Sequence, residues 1–290
     1  MPKFNVEFYK PSVQVNPGEP AVEFADVLQQ IAAMTPRRRI RGGPDPAAIL
    51  TLGQHGTEYI GEAARIRTED LPSVVHTTTG NRHNLDIDAH EGLGEEIHFL
   101  YDSRLHVIAV QRKGHLRASA LESLLSDLSH SYITFEIILR QDALERFDRM
   151  AMVKKVYFKL ARPQDLAGLP PQPLLRVLRV IRDFQGTSAK VEISVGRNRT
   201  RQLRRNPVRE VIGMFRERAD NFKALSITGA IRAQEDAGDM RVETIDFIQG
   251  KLSYTAEVER RGRHLSPEGC NLALREAIRE NREYLQRYRA

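Results

Sequence analysis

Between Pro163 and Pro173 the chain reads Pro-Gln-Asp-Leu-Ala-Gly-Leu-Pro-Pro-Gln-Pro, four prolines and a glycine in eleven residues. Proline lacks a backbone N–H and clashes with the turn before it, so neither a helix interior nor a central strand crosses such a stretch. The 290-residue chain is therefore expected to divide there into two domains, residues 1–162 and 163–290. Charge divides at the same place. Residues 1–162 carry 20 basic and 21 acidic side chains, net −1, whereas residues 163–290 carry 24 and 17, net +7.

Each half interleaves strand and helix periods. Phe4, Val6 and Phe8 alternate with polar residues, which predicts a first strand ending at Pro11. A helix is expected around Glu23–Met34, with Phe24, Val27, Leu28 and Ile31 on one face. Residues 37–67 read as strands joined by glycine- and proline-rich turns, and residues 71–94 as polar and irregular. Ile97–Tyr101 and Leu105–Val110 predict a hairpin. Ser119 with Glu122 has the spacing of a capping box opening a leucine-rich helix. A strand over Tyr132–Leu139, a helix over Asp142–Met150 and a strand over Val153–Leu160 complete the first half.

Past the prolines, Leu174, Val177, Leu178 and Ile181 mark one helix face, and Lys190–Val195 reads as a strand. Val208, Val211, Ile212 and Phe215 mark a second helix. Three strands follow, Ala224–Ile231, Arg241–Phe247 and Leu252–Val258, the last two joined through Gln249-Gly250-Lys251. Ser266-Pro267-Glu268 is a strong helix start: an N-cap, a pre-set first turn and an acid on the helix dipole. The fold class expected is α+β, with mixed or antiparallel sheets, packed helices and two lobes.

The second half holds the charge that points to a partner. From Arg176 to Arg218 there are twelve basic residues against four acids, a local charge of +8 in a protein whose total is +6. Like charge packed this densely repels itself unless an anion neutralises it. Nearly all of it is arginine, whose planar fork matches phosphate oxygens. The residues 196–206, Gly-Arg-Asn-Arg-Thr-Arg-Gln-Leu-Arg-Arg-Asn, have no apolar period and read as a loop open to a ligand. Arg197, Arg199, Arg201, Arg204, Arg205 and Arg209 are the expected phosphate contacts, with Arg176, Arg179 and Arg182 extending the surface. Two smaller basic clusters lie at Arg37–Arg41 and Arg260–Arg263. Zinc-finger, homeodomain, basic-zipper and RNP signatures are absent and aromatic residues are only 7%, so backbone contact to double-stranded DNA is expected rather than base readout.

Enzyme chemistry has one candidate segment. Asp86 and Asp88 share a face of an extended stretch, with His90, Glu91, Glu95, Glu96 and His98 close by, as a metal-dependent nuclease would need. The spacing matches no specific metal motif, and no P-loop, HExxH, nucleophile elbow or Rossmann glycine pattern is present. No cofactor or metal is therefore expected in the leading reading. Cys270, the lone cysteine, falls on the apolar stripe of the last helix and reads as core. A regulatory subunit binding an acidic protein is the remaining alternative, and the pI of about 9.5 suits any acidic partner. No run approaches the ~18 apolar residues that span a bilayer, and the N-terminus lacks a secretory segment, so a soluble cytoplasmic protein is expected.

In layout the chain resembles the RexA type of phage-exclusion protein and related abortive-infection proteins. The likeness rests on the glycine-containing lead-in Asp86–Gly94, the hairpin Phe99–Gln111, the leucine helix after Gly114, the strand Val153–Leu160 and the final strand–helix unit. It covers roughly residues 85–290 and leaves the first 84 residues and the loop Arg197–Arg205 without a counterpart. It implies an α+β DNA-binding protein, a homodimer in anti-phage defence, acting beside a membrane-embedded partner. It supplies no catalytic residue.

Overall fold

In the computed structural model the described residues are 1–14, 22–88, 90–113, 117–161, 183–184, 187–196, 198, 200–232, 240–262 and 264–287. In chain order the strands are β1 (Lys3–Gln14), β2 (Ile40–Arg41), β3 (Ala47–His55), β4 (Glu58–Arg67), β5 (Val74–Val75), β6 (Arg82–His83), β7 (Leu93–Asp102) and β8 (Val107–Arg112). They continue with β9 (Tyr132–Ile137), β10 (Met152–Ala161), β11 (Ser188–Ser194), β12 (Phe222–Arg232), β13 (Met240–Asp246), β14 (Ser253–Glu257), β15 (Arg260–Arg261) and β16 (His264–Leu265). The described helices are α1 (Phe24–Ala33), α2 (Ala118–Ser129), α3 (Gln141–Arg149), α4 (Arg205–Glu217), α5 (Pro267–Glu280) and α6 (Arg282–Gln286). The fold is α+β. Two compact units make it up, but they do not divide at the prolines: one comprises Met1–Thr134 with Tyr254–Ala290, the other Phe135–Ser253.

The reason lies in strand pairing. β10, which precedes the proline stretch, pairs antiparallel with β11 and β12, which follow it. A boundary at residue 162 would break that sheet down its middle. The prolines therefore interrupt a unit instead of separating two, although residues 163–173 themselves, like the helix expected at 174–181, lie outside the described residues.

The first unit is built on an eight-stranded sheet, ordered β14-β1-β8-β7-β4-β3-β2 with β9 pairing β1 off that path. The ladders β1/β8, β7/β8, β4/β7 and β3/β4 are all antiparallel. Alternation sends Ile97, Phe99 and Tyr101 to one face, where Phe24 of α1 meets the Tyr101 ring edge-on at 4.9 Å. Gly61 leaves room there, because a Cβ on it would run into the Phe99 ring. Helix α5 packs against β7, β8 and β1, on the side of Phe4, Val6 and Leu100. Its start follows the sequence: Ser266 is the N-cap, and its hydroxyl accepts the Gly269 N–H at 3.3 Å.

Some local expectations shift. β1 runs through Pro11, which its ladder to β8 permits because that register ends at Tyr9. Helix α2 begins at Ala118 with Arg117 as N-cap, so Ser119 sits inside the first turn and is not the cap. β13 and β14 do not pair with each other: β13 joins β12 in one sheet, and β14 joins β1 in another.

The second unit is a four-stranded antiparallel sheet, ordered β11-β10-β12-β13. Val156, Phe158 and Leu160 point to its buried face with Leu225, Ile227 and Ile245. Helices α3 and α4 supply Phe147 and Phe215 to the same core; Phe215 meets Phe222 edge-on at 5.4 Å. The other face carries Lys155, Tyr157 and Lys159 of β10, all half-buried.

Candidate nucleic-acid interface

The arginine segment is pinned through its backbone, which leaves side chains outside. Val153 of β10 accepts the Leu203 N–H at 2.8 Å, and Lys154 Nζ donates to the Arg201 carbonyl at 2.7 Å. Asn198 Oδ1 accepts the N–H groups of Thr200 at 3.0 Å and Arg201 at 2.8 Å, a local turn held by one side chain. Arg201 and Arg204 project from this strap and are exposed. Among the described residues no carboxylate lies within 4.0 Å of either guanidinium. Arg204 is also the N-cap of α4, whose first turn contains Pro207 as expected and has no side-chain cap. Positive partial charge at that helix start adds to the field of the two arginines.

The next two arginines are engaged with α3. The Arg205 guanidinium lies 5.7 Å above the Phe147 ring and donates to the Asp148 carbonyl at 3.3 Å. Arg209 pairs with Asp148 at 2.7 Å, both side chains more than half exposed. Arg216, further along, pairs with Glu136 at 2.6 Å. Counting acids within the window of sequence missed these two carboxylates, because Asp148 and Glu136 arrive from α3 and β9. The Arg209 pair is solvent-exposed and worth about 0–1 kcal/mol, so a phosphate can compete for it. Arg176, Arg179, Arg182, Arg197 and Arg199 lie outside the described residues.

The sheet adds a contact that sequence did not single out. Lys159 of β10 stands directly opposite Lys190 of β11. Like charges across a strand pair repel, and an anion between them removes the repulsion. The adjacent Lys155 is balanced by Glu192 at 3.8 Å.

The smaller clusters behave differently. Arg39 closes the end of α1, donating to the carbonyls of Met34 at 3.0 Å and Ala32 at 2.5 Å. Arg41 is held by Ser123 at 3.0 Å and Asp127 at 2.9 Å. Arg260 and Arg261 are exposed on β15, and Arg263 lies outside the described residues.

The acidic segment does not assemble. Asp86, Asp88 and His90 are exposed, and Asp88 spends one oxygen on the His90 N–H at 3.1 Å. Among the described residues no group of three or more His, Cys, Asp or Glu side chains is placed to hold a metal ion. Nor is any described helix long and apolar enough to cross a membrane. Cys270 is fully buried in α5 and burial pushes its thiol up to about 11, as a core residue requires.

A model of DUF6731, a family of unknown function, matches residues 58–278, well over half of the chain. No curated protein matches it.

Proposed function

This chain belongs to the DUF6731 family, and we propose that it binds double-stranded DNA by its phosphates, without base readout, through the arginine face of the second unit. The observation that carries the reading is the exposure of Arg201 and Arg204 beside the start of α4, with no carboxylate within 4.0 Å among the described residues. Lys159 facing Lys190 supports it from the sheet. Arg209 joins by exchanging Asp148 for phosphate, and Arg205, braced on Phe147, holds the strap in place. Arg176, Arg179, Arg182, Arg197 and Arg199 extend the same proposal by sequence alone. The resemblance in layout to RexA-type proteins, read from sequence alone, would extend the proposal further, to a cytoplasmic homodimer that senses DNA in anti-phage defence beside a membrane-embedded partner.

Affinity measured against salt tests the reading. Phosphate-driven binding falls steeply as counterions are released. Arg201→Ala with Arg204→Ala should weaken all duplexes alike and lower the slope of log affinity against log salt by roughly one for each phosphate left unneutralised. A flat salt response, or weakening confined to particular sequences, would overturn it.

A further inference from the structure

A polar cavity of about 280 Å³ opens in the first unit, where β1, β7 and β8 meet β15 and β16. Its floor comes from strand register: Glu96 and His98 of β7 and Gln111 of β8 line it, Gln111 accepting the His98 N–H at 3.1 Å, while Glu62 of β4 sits opposite His98 in the sheet. These polar groups interrupt a face otherwise made of Phe4, Val6 and Leu100. The His98 side chain is only 8% exposed, and its Nε2 stands 4.0 Å from Glu62, beyond hydrogen-bond reach. Neither ring nitrogen has a hydrogen bond among the described residues. The imidazole, on the cavity wall, can exchange hydrogen bonds with a group that enters.

The mouth has the opposite character. Lys3, Lys113 and Arg260 are exposed around it, and none has a carboxylate within 4.0 Å among the described residues. Arg112 beside them holds the buried Glu7 at 3.6 Å. Burial, then the neighbouring Glu96, pushes the Glu62 carboxyl upward. The site thus presents a cationic rim above a recessed polar wall of Glu96, His98 and Gln111.

We propose that this cavity binds a small phosphorylated compound of mononucleotide size, its phosphate at Lys3, Lys113 and Arg260 and its uncharged polar end against Glu96, His98 and Gln111. The volume of about 280 Å³ lies just below the range of small-molecule sites, about 300 to 1,000 Å³, which limits the ligand to a small one. A duplex backbone cannot reach an imidazole so enclosed, so this site is separate from the DNA-binding reading and stands without it.

The test is calorimetric titration of the full chain with the four common nucleoside monophosphates, ribose 5-phosphate and inorganic phosphate. At least one organic phosphate should bind about tenfold more tightly than inorganic phosphate. Lys113→Ala and Arg260→Ala, on the exposed rim, should each weaken it by about tenfold while melting temperature and DNA affinity stay unchanged. Ligand should also shift the His98 imidazole resonances in the unsubstituted protein. The proposal is overturned if no organic phosphate exceeds inorganic phosphate, or if binding survives both rim substitutions and leaves the His98 signals in place.

Discussion

A neutral imidazole held between sheet and helix resists protonation, because the cation would have to leave water. Burial, and then Lys113, lower His98 from 6.5 to about 4. Its folded value lies below its unfolded one, so between them the unfolded chain takes up the proton more readily. Stability is intact above pH 6.5 and declines as pH falls toward 4, by on the order of 3 kcal/mol in full. Glu62 acts with the opposite sign. Its raised value disfavours the ionised form in the fold, so it costs stability as pH climbs above 4.5. Replacing His98 isolates the first effect: the melting temperature of the unsubstituted protein should fall between pH 7 and pH 4, and His98→Gln should flatten that fall. An unchanged acid limb would assign the titration to other groups.

Among the elements, two glycines with opposite surroundings make a paired prediction. Gly213 lies inside α4, and a Cβ there would meet nothing within 4 Å. Gly213→Ala should raise stability by about 0.5–1 kcal/mol, by restricting the unfolded chain and favouring helix. Gly229 lies in β12, and a Cβ there would fall 2.5 Å from Met150 Sδ and 2.6 Å from the Met152 carbonyl. The thioether can move but the backbone of the paired strand cannot, so Gly229→Ala should cost about 1–3 kcal/mol. Urea denaturation of the two variants checks both signs; a stabilised Gly229→Ala would show that the β10–β12 pairing is looser than described.

Across the molecule the order of segments matters. The first unit is closed by residues that follow the second: β14 pairs with β1, and α5 covers β7, β8 and β1. A chain ending at Ser253 should lose amide protection in β7 and β8 and keep it in β10 and β12. Hydrogen exchange reads this directly, and equal protection of β7 and β8 in the shortened chain would contradict the assignment of α5 to that core.

Whatever repeats over a few residues could be read from the order of amino acids. The apolar stripe of Phe24, Val27, Leu28 and Ile31, the 97–110 hairpin, the Ser266 cap and the alternation in Val153–Leu160 all emerged where expected. Each depends on helical or strand period, which neighbours along the chain impose. The pairings between distant segments were settled only by folding in three dimensions. That step placed β10 between β11 and β12 across the prolines, sent β14 away from β13, brought Asp148 to Arg209, and set Glu62 beside His98. No local period encodes these partners. They are fixed by which strands bury the most apolar surface together, and that choice is made over the chain as a whole.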